Sequence, residues 1–169
     1  MTAPTRTLHV LRHAKSRWDQ PVADHERSLA PRGNRALVQL STYLTEQKVR
    51  CDLVLSSTAR RALETLEGVH AAVGDPPVQA LDALYGASAV DIVELVRATN
   101  PDVHSLLLVG HNPGLHDLVV RLARRGPRLR DATEKFPTAA LASLTFAGEW
   151  RDLDSQMATL DRFVRPRDL

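Results

Sequence analysis

Two histidines and two arginines, each close to the end of an apolar run, are the residues of this chain best equipped for chemistry. Arg12 and His13 follow "TLHVL", residues 7–11. Arg61 lies a short turn beyond "CDLVLSS", residues 51–57, and His111 follows "SLLLVG". A guanidinium offers planar, paired donors that match phosphate oxygens. A neutral imidazole can attack phosphorus, and a second one can donate to an equatorial oxygen. Phosphoryl transfer asks mainly for positioning and charge neutralisation, so such a set would need neither metal nor cofactor. Taken singly, each residue reads as a packed or solvated side chain. An Arg-His pair and a Gly-His pair at two strand exits of one sheet are a much rarer coincidence. Of the other histidines, His9, His70 and His104 fall in or beside regular elements and read as structural, while His116 lies one turn past His111.

These residues share a site only if the elements carrying them share a sheet edge. Residues 7–11 read as a strand, and 51–57 as a strand buried on both faces. In residues 29–48, Leu37, Leu40 and Leu44 recur at helical spacing behind Pro31 and Gly33. In 59–74, Ala59, Ala62, Leu63, Leu66, Val69 and Val73 fall on one helical face, and Gly74 ends it. "PPVQALDALYG" reads as a short strand leading into a loop, and "SAVDIVELVRATNP" as a helix that Pro101 stops. Residues 104–110 form the next strand. Asn112 and Pro113 read as the cap and first residue of the helix "GLHDLVVRLARRG". Residues 127–137 read as basic and irregular, and 139–150 as the last strand. Alternating strands and helices predict one three-layer α/β/α domain over residues 1–169, its core about 7–150, around a mostly parallel sheet. Ligands of such sheets bind beyond the carboxyl ends of the strands. That rule selects Arg12-His13, the segment Ser56 to Arg61, Asp82, and Gly110-His111-Asn112.

Bulk properties narrow the classes. The 43% hydrophobic content supports a real core. Twenty-two Lys and Arg against 20 Asp and Glu leave a net charge of +2, no nucleic-acid footprint, although a pI near 9.0 leaves room for a local basic site. A binder built on Arg121, Arg124, Arg125, Arg128 and Arg130 would rest on what is usually a solvated helix end. The lone Cys51 forms no internal disulfide and suits a reducing compartment. No apolar run reaches the length of a membrane span, and the first residues lack a signal-peptide core. The expectation is a cytoplasmic protein with neither nucleic acid nor membrane as partner. No HExxH spacing, Cys/His cluster, phosphate-binding glycine loop or GxGxxG occurs, so neither a metal nor a nucleotide cofactor is expected.

At this point the motifs meet a family. "LRHAKS" resembles the signature of the histidine phosphatase superfamily, the phosphoglycerate mutase-like fold. "SSTARRALET" resembles its second motif, in a register that selects Arg61 and matches Thr65, and "VGHNPG" resembles its third. "HERSLAPRG" and "FPTAALASLTF" are similar to the SixA-type phosphohistidine phosphatase branch. The resemblance implies that His13 is a nucleophile that becomes transiently phosphorylated. It implies that Arg12 and Arg61 clamp the phosphoryl oxygens and that His111 completes the pocket. Lys15, Ser16 and Asn112 would stand among the phosphate- or substrate-binding residues. Ala14 departs from the usual glycine after the nucleophile, which slightly restricts the backbone there. Larger relatives carry a glutamate general acid four residues before a glycine. Counting back from Gly86 lands on Asp82, a shorter acid that reads equally as a loop residue ending a strand. The expected activity is a metal-independent phosphatase acting through a phosphohistidine intermediate on phosphohistidine in a protein, with a small phosphate monoester as the alternative substrate. A phosphate-binding module without turnover is the non-enzymatic alternative, and the intact pair His13 and His111 argues against it.

Overall fold

The structure, a computed structural model, describes residues 2–169. Its centre is a seven-stranded sheet of order β3-β2-β4-β1-β6-β7-β5. Four strands carry the motifs: β1 (Thr5–Arg12), β2 (Leu53–Ser57), β3 (Val78–Leu81) and β4 (Ser105–Gly110). All four run parallel. β6 (Leu141–Ala147) lies antiparallel to β1, and β7 (Ala158–Val164) antiparallel to β6. A short β5 (Ala123–Arg125) pairs in parallel with β7.

Strand side chains alternate between faces, so each continuous apolar run feeds two cores. In β4, Leu106 and Leu108 pack on one face with Ile92, Val96, Leu115 and Leu118. Leu107 and Val109 pack on the other with Leu37, Leu40, Leu44 and Leu66. The helices that close the two faces are α1 (Pro31–Glu46) and α2 (Arg60–Val69) on one side, and α3 (Ala89–Arg97) and α4 (Gly114–Leu122) on the other. This is the expected three-layer arrangement. Ser88 and Asp91 form the capping box that starts α3.

Several local expectations are corrected. Residues 139–150 do not hold the last strand: β6 ends at Ala147, and Leu160 and Phe163 of the later β7 enter the core, so the packed body extends well past residue 150. Within 127–137, Leu129–Glu134 form a helix, α5, and Ala132 and Phe136 are buried. The helix begun at Gly114 stops at Leu122, because the next three residues pair with β7, a tertiary contact that overrides local helix propensity. Leu63 is 39% exposed rather than in the core. Asn112 and Pro113 are not the cap and first residue of α4, since Pro113 is its N-cap and Asn112 bonds elsewhere. Among the described residues no helix is long and apolar enough to cross a membrane.

The topology fixes one edge as special. The carboxyl ends of β1, β2, β3 and β4 lie together there. Because β6 is antiparallel and Leu11 pairs with Leu141, the segment entering β6 reaches the same edge. Val164 pairs with Leu141, so the chain leaving β7 reaches it too.

Candidate active site

The loop after β1 is held by hydrogen bonds to the elements around it and by close packing. The His13 N–H donates to the Gly110 carbonyl at 3.0 Å, tying the first motif to the third. The Ala14 N–H donates to Thr65 Oγ1 at 2.9 Å, and that hydroxyl donates to the Arg61 carbonyl at 2.6 Å, which ties in the second. The Ala139 N–H is shared between the carbonyls of Arg12 and His13, at 3.2 and 3.1 Å. Gly33, in the first turn of α1, packs so tightly under the loop that a Cβ there would stand 2.3 Å from the Lys15 carbonyl oxygen.

His13 is 7% exposed. Its Nδ1 lies 2.8 Å from the Ala14 carbonyl, which can only accept. Nδ1 therefore carries the proton, and Nε2 carries the lone pair. Burial, with smaller contributions from His111, Arg61 and Arg12, pushes the pKa of His13 down to about 3 despite the Ala14 bond. The ring is neutral at physiological pH. The His111 ring lies 5.2 Å away, tilted by 51°. Its Nε2 shares a 2.7 Å hydrogen bond with Ser57 Oγ, and burial followed by Arg61 lowers its pKa to about 4.

The guanidiniums complete the set. Arg12 Nη1 donates to the Phe136 carbonyl at 3.1 Å. Burial and then Arg61 lower its pKa, the signature of cations crowded into a dry site. Arg61 is buried, whereas Arg60 is exposed and pairs with Glu64 at 2.9 Å; adjacent helical residues face different ways. Arg12 Nε, Arg61 Nε and His111 Nδ1 are buried without a hydrogen-bond partner among the described residues. Buried donors seldom stay unpaired. The three nitrogens, on half-buried Arg12, buried Arg61 and half-buried His111, together with the neutral imidazole of His13, make a set matched to a tetrahedral oxyanion.

Not every residue singled out by sequence enters this pocket in the same way. Ser16 is buried and accepts from Arg27 Nη1. Lys15 is exposed and lines a neighbouring cleft. Asn112 Nδ2 donates to the Phe136 carbonyl at 2.8 Å, the same oxygen that Arg12 holds. Asp82 is exposed and accepts from Thr58 Oγ1 at 2.5 Å, and that hydroxyl also lies 3.0 Å from His25 Nε2.

Asp24 and Tyr85 escaped the sequence reading, and Ser57, inside the selected segment Ser56 to Arg61, takes its particular role only in the fold. Asp24 takes Arg61 from two directions, through its carbonyl at 2.7 Å and its carboxylate at 3.1 Å. It also accepts from Tyr85 at 2.5 Å and from Arg27 at 3.0 Å. The Tyr85 hydroxyl bond and the Arg27 and Arg61 guanidiniums hold its pKa well below the usual carboxylate range, so it stays ionised. Tyr85 sets its ring edge-on to His111 at 5.7 Å and under Arg61 at 5.9 Å. Ser57 orients His111. The one available signal was the Asp24-x-x-Arg27 spacing beside the quoted "HERSLAPRG", which by itself resembles a surface turn.

The family model of the histidine phosphatase superfamily, branch 1, matches residues 8–98, and the chain belongs to that superfamily. It is 38% identical over 161 residues to an uncharacterized protein of Mycobacterium tuberculosis, an alignment covering 93% of this chain and all of that one. Among solved structures, one from Nakamurella multipartitia bearing the name phosphohistidine phosphatase SixA superposes with a TM-score of 0.85 at 31% identity, covering 98% of this chain and 99% of that one. A structure of the protein histidine phosphatase SixA complexed with tungstate superposes with a TM-score of 0.79 at 26% identity, covering 96% and 98%. The fold is phosphoglycerate mutase-like, the chain falls in the SixA-type branch, and it is a phosphatase of this superfamily.

Proposed function

We propose that this protein removes phosphate from phosphohistidine on proteins through a phosphohistidine of its own at His13. The observation that carries the assignment is the tautomer of His13. Nδ1–H is committed to the Ala14 carbonyl, so Nε2 is a neutral lone pair, on a ring 5.2 Å from that of His111 and under the influence of Arg61 and Arg12. Nε2 attacks phosphorus, the bond from phosphorus to the substrate imidazole breaks, and the substrate leaves as neutral imidazole, its ring having taken a proton from solvent. Water then attacks the phosphorylated His13, releasing inorganic phosphate and restoring the free imidazole. Arg12 and Arg61 neutralise the phosphoryl oxygens, and His111, oriented by Ser57, donates to one of them. A tetrahedral oxyanion bound to a neighbour of the same fold supports the same use of the pocket.

The weak point of the pocket as a general phosphatase supports the choice of substrate. An alkoxide is a poor leaving group and needs a strong proton donor, typically worth about 10²–10⁴-fold. Imidazole leaves easily once protonated. The candidate acid, Asp82, is exposed and engaged by Thr58, an arrangement better suited to the easier leaving group. In this reading the substrate is a protein, neither nucleic acid nor membrane takes part, and the compartment is a reducing cytoplasm that keeps Cys51 a thiol. Rapid quench with labelled substrate should trap an acid-labile, alkali-stable phosphoprotein, absent in His13→Ala. Label persisting in that variant refutes the nucleophile. Asp82→Asn should barely slow phosphohistidine hydrolysis while further weakening poor activity on alkyl phosphates. Efficient alkyl phosphate hydrolysis that Asp82→Asn abolishes would replace this substrate with a small ester.

A further inference from the structure

Beside the catalytic pocket, on the same sheet edge, lies a cleft of about 410 Å³ that the phosphoryl chemistry does not use. Four cations line it: Lys15 after β1, Arg32 at the start of α1, Lys135 after α5 and Arg167 after β7. None of the four is in an ion pair among the described residues. Arg165, also in the cleft, is matched by Asp168 and Asp131. Glu134 is the one acid of the lining without such a match. We propose that this cleft is an exosite for acidic residues of the phosphorylated protein substrate, an inference that rests on the phosphoprotein reading above.

Position argues for a role in substrate capture. Lys15 is two residues beyond His13, so its Cα lies at most about 7 Å from that of the nucleophile. The cleft floor includes Ala139, whose N–H holds the carbonyls of Arg12 and His13. An extended polypeptide carrying phosphate to His13 would meet Lys15, and with it the cleft, within a few residues.

The form of the cleft argues for a polypeptide. In the catalytic pocket the donors are buried and converge. In the cleft the four cations are exposed, come from four separate segments and are interrupted by Glu134 and by apolar Ala36, Pro137 and Pro166. Convergent buried donors grip one compact anion. Dispersed exposed cations attract a surface of several separated negative charges and act mainly on the rate of encounter.

The test uses two synthetic phosphohistidine peptides of equal length, one with glutamates two to six residues from the phosphohistidine and one with glutamines there. The full-length protein is compared with Arg32→Glu/Arg167→Glu, both sites being exposed and outside the catalytic pocket. At low salt the wild type should favour the glutamate peptide in kcat/KM by about 10-fold or more, and the double variant should lose that preference. Its turnover of an aryl phosphate and of the glutamine peptide should stay unchanged. The preference should shrink as the Debye length falls from about 30 Å at 0.01 M to about 8 Å at 0.15 M salt. Equal rates on both peptides in the wild type overturn the exosite and leave the phosphohistidine reading standing. Hydrolysis of the aryl phosphate but of neither peptide overturns that reading, and the exosite with it. Stabilisation of the wild type but not the double variant by pyrophosphate would show a small-anion site and overturn the polypeptide as occupant.

Discussion

Mild acid should destabilise this protein at a pH where its carboxylates are still ionised. His9 and His13 are 6% and 7% exposed. Burial, and then Arg162, lowers His9 to about 4, while burial lowers His13 to about 3, against 6.5 for each in the unfolded chain. Between pH 6.5 and those values the unfolded chain binds more protons than the native one. The stability tied to these rings is therefore fully present above pH 6.5 and drains as pH falls through the window below it. At pH 5 each ring costs about 2 kcal/mol relative to pH 8, about 4 together, a large share of the ~5–15 kcal/mol that holds a domain folded. His111, lowered to about 4, adds a loss of the same sign. Asp24 does not contribute in this range: its depressed pKa gives stability that is lost only as pH drops below the ordinary carboxylate value of about 4. The assay is urea unfolding at pH 8, 7, 6 and 5 in buffer free of phosphate, followed by the fluorescence of buried Trp150. His9→Asn should remove about 2 kcal/mol of the pH dependence without touching the catalytic pocket. An anion in the pocket favours protonated His13, so tungstate should soften the decline. Stability that is flat from pH 8 to 5, or a decline unaltered in His9→Asn, would refute the reasoning.

Three further outcomes follow from the same geometry. Arg61→Ala should lower kcat/KM by about 10²–10³-fold, as for loss of a donor at developing charge, while Arg60→Ala should be mild; equal effects would contradict the helix register. Asp24→Ala removes the carboxylate from Arg61 Nη2, Arg27 and the Tyr85 hydroxyl and leaves only the backbone carbonyl on Arg61 Nη1, so kcat/KM should fall by about 10-fold or more and the Kd for tungstate should rise, while unchanged tungstate binding would show that Arg61 holds its place without the carboxylate. Gly33→Ala puts a methyl carbon against the Lys15 carbonyl and should cost about 1–3 kcal/mol of stability together with activity, read by thermal melting and aryl phosphate turnover.

The alternation of apolar runs with 3.6-period segments specified strands β1, β2 and β4 and helices α1, α2 and α3 directly, because burial on both faces and on one face leave different periods in the chain. The parallel sheet and the strand-exit rule then placed Arg12, His13, Arg61 and His111 on one edge, where the structure brings them together. Choosing Arg61 over Arg60 came from the resemblance of "SSTARRALET" to the family's second motif, which Ala62 and Thr65 match. What the sequence could not show depended on pairing across distance. β5 and β7 exist because they complete an edge of the sheet, and nothing local in "ARR" or in residues 158–164 dictates that partner. Asp24 reads as a turn residue until folding sets it against Arg61, 37 positions away. The tautomer of His13, the depressed pKa of both site histidines and the pooling of four cations beside them are likewise products of tertiary burial and proximity, since desolvation and Coulomb interaction act through space and leave no trace in residue order.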